Sequence, residues 1–203
     1  PRADVVKPLD PLIQTVVRYH PERGRRNEMQ IQPGSFVPLH TDVPLVSLMS
    51  SLGKPSGTGT IEFPSLAVDA KPVMRNHFLE HPDDLAKACE AVDLMSLLLD
   101  TPALRSLVRP LLPGRRGLHD RKTIATWIKR QTGSGFHPCG TVPMGADDDP
   151  LAACDQYGRV RGTRGLFVAD ASLMPTVPTA NTNLASLMIG ERFGEWLRDG
   201  VVA

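Results

Sequence analysis

The segment from Gly133 to Asn183 leaves this chain the least conformational freedom. It opens on Gly133-Ser134-Gly135, a flexible lead-in, and runs through Phe136-His137-Pro138-Cys139-Gly140-Thr141-Val142-Pro143-Met144-Gly145. Pro138 pushes His137 away from helical geometry, because the proline ring crowds the backbone of the residue before it. His137 is therefore expected in a loop. The polar turn Asp147-Asp148-Asp149-Pro150 and a short hairpin arm, Gln156-Tyr157-Gly158-Arg159-Val160, follow. Leu166 to Ala169 is a continuous apolar run, the pattern of a strand covered on both faces. It ends in Asp170-Ala171-Ser172, crosses a proline-containing loop and reaches Pro178-Thr179-Ala180-Asn181-Thr182-Asn183. A last helix is expected from about Asn183 to Arg198, with a mixed face of Leu184, Leu187, Met188, Glu191 and Glu195 and with small Ala185, Ser186 and Gly190 permitting close packing.

Upstream, the hydrophobic period changes once. Strands are expected at Leu12–Tyr19, Glu28–Ile31, Phe36–Leu39, Val43–Ser51, Thr60–Phe63 and Lys71–Leu79, with Lys54-Pro55-Ser56-Gly57-Thr58-Gly59 as a turn. Together they read as one antiparallel sheet. From Asp83 to Leu99 the apolar positions Leu85, Cys89, Val92, Met95 and Leu99 fall on one helical face. Asp83 and Asp84 stand in the opening turn, where the helix dipole favours negative charge. A shorter helix is expected around Ala103–Val108, and another over roughly Asp120–Gln131, with Asp120 as N-cap and Gly133 as its stop. The fold class expected is α/β: an antiparallel sheet backed by helices over 1–132, then a strand and helix over 133–203.

The formal charge of +1 gives no signal for nucleic acid or a membrane surface. The basic runs Arg23-Gly24-Arg25-Arg26 and Arg115-Arg116 are short and read as solvated loops. Three cysteines, Cys89, Cys139 and Cys154, cannot all pair, and no CxxC occurs, so neither zinc nor a disulfide scaffold is expected. Free thiols suit a reducing, cytoplasmic setting. No apolar run reaches the length of a membrane span. The opening Pro1-Arg2-Ala3, without an initiator Met, fits a processed chain or a fragment.

Several residues carry chemistry only if an ordinary reading is set aside. His137 by itself is an unremarkable polar loop residue. Asp170 follows an expected buried strand, where open α/β sheets bind ligands, yet it also suits a turn or a helix cap. One of Asn181 and Asn183 is expected to cap the last helix. Its start offers unpaired N–H groups and partial positive charge to an electron-rich partner. Capping does not account for both asparagines. Cys139 as a nucleophile is disfavoured, since neighbours in an extended loop point apart. A serine hydrolase lacks its Gly-x-Ser-x-Gly elbow here. His20, His40, His77, His81 and His119 show no metal-ligand spacing.

Taken in order, His137-Pro138-Cys139-Gly140-Thr141 with Met144-Gly145, then Gly165-Leu166-Phe167-Val168-Ala169-Asp170-Ala171-Ser172-Leu173-Met174-Pro175, then Asn181-Thr182-Asn183, resemble the C-terminal portion of the glucose–methanol–choline (GMC) oxidoreductases. Pro72 to Asp84, with Asn76, is similar to the family's substrate-domain sheet leading into its helices. The resemblance implies a flavin enzyme of the p-hydroxybenzoate-hydroxylase type of fold. In it, an FAD domain carries an N-terminal Gly-x-Gly-x-x-Gly, and a sheet backed by helices covers the flavin. On this reading 1–132 binds substrate and 133–203 is the C-terminal part of the FAD-binding domain.

The resemblance further implies that alcohols are oxidised. His137 would be the active-site histidine that takes the hydroxyl proton while hydride passes to flavin N5, and Asn181 its partner, holding the alcohol oxygen. Asp170 and Ala171 would contact the ribityl and phosphate region of FAD, and Thr182 and Asn183 would lie beneath its pyrimidine end. The dinucleotide fingerprint is missing, since Gly57-Thr58-Gly59 lacks the third glycine and the strand-to-helix setting. A partner is therefore expected, an N-terminal FAD-binding portion supplied by a second chain or a nicked precursor. A hydroxynitrile lyase on the same scaffold and a non-catalytic binding subunit are the alternatives.

Overall fold

Alternation builds the first sheet. The computed structural model describes residues 13, 15–34 and 45–202, with backbone alone at positions 115, 116 and 119. Strands β1 (Val17–Tyr19), β2 (Met29–Gly34) and β3 (Ser47–Leu52) pair antiparallel in the order β1-β2-β3. Their register sets Val17 opposite Ile31 and Ile31 opposite Ser50. Successive side chains of a strand point to opposite faces. Met29 and Ile31, two apart on the central strand, are accordingly both buried. The strand expected at Phe36–Leu39 lies outside the described residues, as do Leu12 and Val43 at the ends of two others.

Four helices follow: α1 (Pro82–Leu99), α2 (Pro102–Arg105), α3 (Gly114–His119) and α4 (Arg121–Gln131). Helix α1 starts on Pro82, whose missing N–H would have had no helical partner anyway. The N-cap is His81, and its ring accepts the Asp83 N–H at 3.3 Å. Helix α4 is capped by Asp120, which accepts the N–H groups of Lys122 and Thr123 at 3.3 and 3.2 Å. Leu79, Ala88 and Val92 close on Ile124 and Ile128, with Leu85, Cys89 and Met95 around them. Leu85, Cys89, Val92 and Met95 belong to the face that the spacing predicts, whereas the buried Ala88 and Ala91 widen it and Leu99 stands outside this cluster.

The differences are local. Helix α4 ends at Gln131, as expected, with Thr132 turning extended ahead of Gly133, but its neighbours differ. Helix α2 covers only the start of the expected Ala103–Val108. Helix α3 arises where Arg115-Arg116 reads as a loop. The other basic run is not simply solvated. Glu28, at its end, forms a buried ion pair with Lys87 of α1 at 2.5 Å, both side chains being almost wholly enclosed. The Glu22 N–H donates to both oxygens of Glu90, and Arg23 pairs with Asp83. The β1–β2 connection is thus fastened to α1.

These elements, with the described residues up to Leu52 and Phe78–Thr132, form one of two units; the other joins Gly53–His77 to the chain from Gly133 onward. In the second, the hairpin of β4 (Thr60–Glu62) and β5 (Val73–Arg75) is a separate two-stranded sheet rather than a continuation of the first. The strand expected over Lys71–Leu79 shrinks to β5 because His77 and Leu79 take left-handed backbone conformations, φ 52° and 58°.

In the second unit, helix α5 (Thr182–Arg198) lies on irregular chain. Ile189 and Phe193 pack on Cys154, Leu173 and Met174, with Val142, Met144, Phe167 and Trp196 at the margin. Gly158 makes that seat: its φ is +69°, and a Cβ there would fall 2.3 Å from Cζ of Phe193. The expected strand at Leu166–Ala169 is reduced to a single bridge between Phe167 and Arg159, and Leu166 is exposed. An apolar run reports a wish for cover on both faces, and no strand among the described residues supplies it. The whole is an α+β arrangement of antiparallel sheets backed by helices. Among the described residues no helix is long and apolar enough to cross a membrane.

Candidate active site

Two loops of the second unit are laced together by main chain. Gly140 donates its N–H to the Ala171 carbonyl at 3.1 Å, Val142 to Ser172 at 3.0 Å and Met144 to Leu173 at 3.0 Å. Gly140 has φ +73°, and a Cβ there would sit 3.1 Å from the Met174 carbonyl oxygen. A side chain would wedge the loops apart. On the other flank of His137, Phe136 is held at φ +60°, with its N–H on Ser134 Oγ at 3.0 Å. An aromatic residue in the left-handed region is strained, and such strain persists where surrounding structure over-determines it. His137 is thereby fixed from both sides.

Its imidazole meets the start of α5. Asn181 Nδ2 lies 2.5 Å from His137 Nε2, and Thr182 Oγ1 lies 3.3 Å from His137 Nδ1. Asn181 occupies the N-cap position, but its side chain makes no capping bond. Of the two asparagines, Asn181 is therefore not a side-chain cap: its amide meets the imidazole instead. Asn183 lies inside the first turn and is exposed. With Nδ2 as the donor, Nε2 presents its lone pair; in that tautomer the ring hydrogen stands on Nδ1, within reach of the Thr182 hydroxyl. The structure thus joins His137, Asn181 and Thr182, residues far apart along the chain.

Asp170 and Ala171 are not on the imidazole. They belong to the 3-10 turn Ala171–Leu173, which reaches the same loop through the Gly140 N–H. Asp170 Oδ1 accepts the N–H of Ser172 at 2.8 Å and its hydroxyl at 2.5 Å. Those two bonds, the hydroxyl's first, hold the carboxyl below its usual range. Its visible work is capping its own turn, as the ordinary reading has it. Cys139 is half-buried, and burial pushes its thiol up despite the nearby Lys54 ammonium, which leaves it a poor nucleophile.

Sequence reasoning missed two contacts. One is Thr182 on Nδ1. The other is Lys54, whose Nζ donates to Thr176 Oγ1 at 2.6 Å across the unit. Neither has a local signal: which way a first-turn hydroxyl points, and which distant loop a lysine reaches, are tertiary facts.

Two features of α5 suit a flavin. Its first-turn N–H groups carry no cap from Asn181, so they stay available to an electron-rich carbonyl edge. Leu184, Leu187 and Met188, on the same helix, are exposed and offer apolar surface to a flat ring system. Among the described residues no group of three or more His, Cys, Asp or Glu could hold a metal ion.

Comparison with known proteins bears on these features. The sequence profile of GMC oxidoreductase matches residues 55–190. The chain is 35% identical over 142 residues to an oxygen-dependent choline dehydrogenase of Rhizobium etli, covering 70% of this chain and 26% of that protein. It is 32% identical over 196 residues to a 5-(hydroxymethyl)furfural oxidase of Methylovorus sp., covering 85% of this chain and 37% of the relative. Among solved structures, pyridoxine 4-oxidase from Mesorbium loti superposes with a TM-score of 0.80 at 22% identity, over 91% of this chain and 37% of its own. A formate oxidase gives 0.74 at 19% identity, over 86% and 32%. These likenesses show the fold. The chain spans well under half of each relative's length.

Proposed function

This chain belongs to the GMC oxidoreductase family, and on that footing we propose that it is the C-terminal portion of an FAD-dependent alcohol oxidoreductase in which His137 is the base. The observation that carries the reading is the convergence of Asn181 Nδ2 and His137 Nε2 at 2.5 Å. A carboxamide donor and an imidazole lone pair at one point are what a hydroxyl oxygen and its proton require. Asn181 would donate to the alcohol oxygen and so aim its carbon, without competing for the proton. His137 Nε2 would accept the hydroxyl proton, and a positioned base contributes roughly 10²- to 10⁴-fold.

Bound FAD would supply the hydride acceptor. The residues of this chain disposed to hold it are those at the start of α5, Thr182 and Asn183, whose N–H groups suit a carbonyl-bearing edge, and the Asp170-Ala171 turn laced to the histidine loop. An FAD-binding portion would come from a second polypeptide or an N-terminal part of the same one. The names of the relatives, a choline dehydrogenase and a hydroxymethylfurfural oxidase, support a hydroxyl-bearing small molecule as substrate.

In the flavin-loaded enzyme, His137→Ala is expected to lower kcat by roughly 10²- to 10⁴-fold while the visible flavin spectrum stays. Unchanged turnover would remove the base assignment. Alcohol added without oxygen is expected to bleach the flavin band. A band that persists while substrate is consumed would favour a lyase on this scaffold.

A further inference from the structure

Thr182 is the first residue of α5 and is buried, while Asn181 beside it is exposed. The hydroxyl Oγ1 stands 3.3 Å from His137 Nδ1, on the opposite side of the ring from Asn181. A β-branched side chain has few χ1 choices, so this oxygen is held where it is. The turn beneath it is closed by Ser186 Oγ, which donates to the Thr182 carbonyl at 2.9 Å.

We propose that Thr182 is the positioning residue of this site: by accepting the Nδ1 proton of His137 it keeps the imidazole in the tautomer whose free lone pair, at Nε2, faces Asn181 and the alcohol. The role rests on the reading of His137 as the base. A neutral imidazole has one N–H and one lone pair, and the partner of one nitrogen decides the state of the other. With the hydroxyl accepting at Nδ1, Nε2 is free to take a proton. The same oxygen keeps its bond after protonation, because Nδ1 carries hydrogen in both states. Without that acceptor the Nδ1–H loses its partner in the protein. The proton then favours Nε2, the lone pair turns inward, and the ring presents an acid where a base is needed.

Two variants and one direct measurement in the flavin-loaded enzyme test this. Thr182→Val keeps the shape and removes the acceptor, and kcat is expected to fall about 10- to 100-fold, the usual loss when a histidine's orienting partner is removed. KM is expected to hold within about twofold. Thr182→Ser restores the oxygen and is expected to recover most of kcat. Independently of any variant, ¹⁵N shifts of His137 in the wild-type protein should show hydrogen on Nδ1 and none on Nε2. Hydrogen on Nε2, or Thr182→Val turning over like wild type while His137→Ala is inactive, would overturn the positioning role and leave the base standing. An active His137→Ala would instead remove the base reading itself.

Discussion

At the scale of single residues, the site is a matter of which side chain spends its hydrogen bond where. Asn181 sits at the N-cap position, yet its amide serves His137. Replacing it by aspartate exchanges a neutral donor for a carboxylate beside the ring. On the reading of His137 as the base, the amide is also the group that aims the alcohol. For Asn181→Asp kcat/KM is therefore expected to fall by roughly 10-fold or more; steady-state rates of the flavin-loaded variant and wild type check this. His137 and Asn181 were legible in the sequence only through their fixed order with Gly140, Asp170 and Asn183. Alone, each has an ordinary explanation, and Asp170 turned out to use its carboxylate in that ordinary way. The Thr182 contact was not legible, because spacing says nothing of how a hydroxyl is turned at the first helical position.

At the scale of elements, period and caps carried well where a helix packs one face. Helix α1 buries part of the predicted face, and α4 has the predicted bounds and the predicted cap, Asp120. Helix α3 was hidden in a basic, glycine-flanked stretch with no apolar period. The β4–β5 hairpin was legible as strands, but not as a separate sheet, since strand partners are chosen by tertiary packing. One element pair makes a prediction of its own. The hydroxyl of Tyr19, on β1, is buried and finds no hydrogen-bond partner among the described residues. Burial first, then Glu90 and Asp93 of α1, push its pKa up from 10.0 to about 12. The folded value lies above the unfolded one, so this stabilisation is whole below about pH 10 and is lost as pH rises towards about 12. Denaturant unfolding at successive alkaline pH values should show that loss in wild type and less of it in Tyr19→Phe. At neutral pH the phenylalanine variant should be no less stable, because the hydroxyl it lacks was unpaired.

At the scale of the whole molecule, the sequence holds a histidine–asparagine centre but no dinucleotide fingerprint, and the chain covers 26% and 37% of two relatives. Helix α5 leaves Leu184, Leu187 and Met188 exposed at 78%, 59% and 64%. Apolar area of this kind, close to the site, is suited to a partner surface. Prepared alone, the 203-residue chain is expected to be colourless and prone to associate. Prepared together with an FAD-binding portion, it should copurify with that portion in a yellow complex. Absorbance near the flavin bands, read across a sizing column, decides the matter; a yellow monomer of this chain alone would show that no partner is needed.

The open helix end at Asn181 has a consequence for anyone improving this protein. A serine there would tie down the loose N–H groups, and caps of that sort are worth about 1 kcal/mol. Directed evolution rewarded for heat tolerance alone would drift towards such replacements and lose the contact with His137 in the process. Endurance and chemistry compete here for one amide, and an assay that selects on both would keep it where it is.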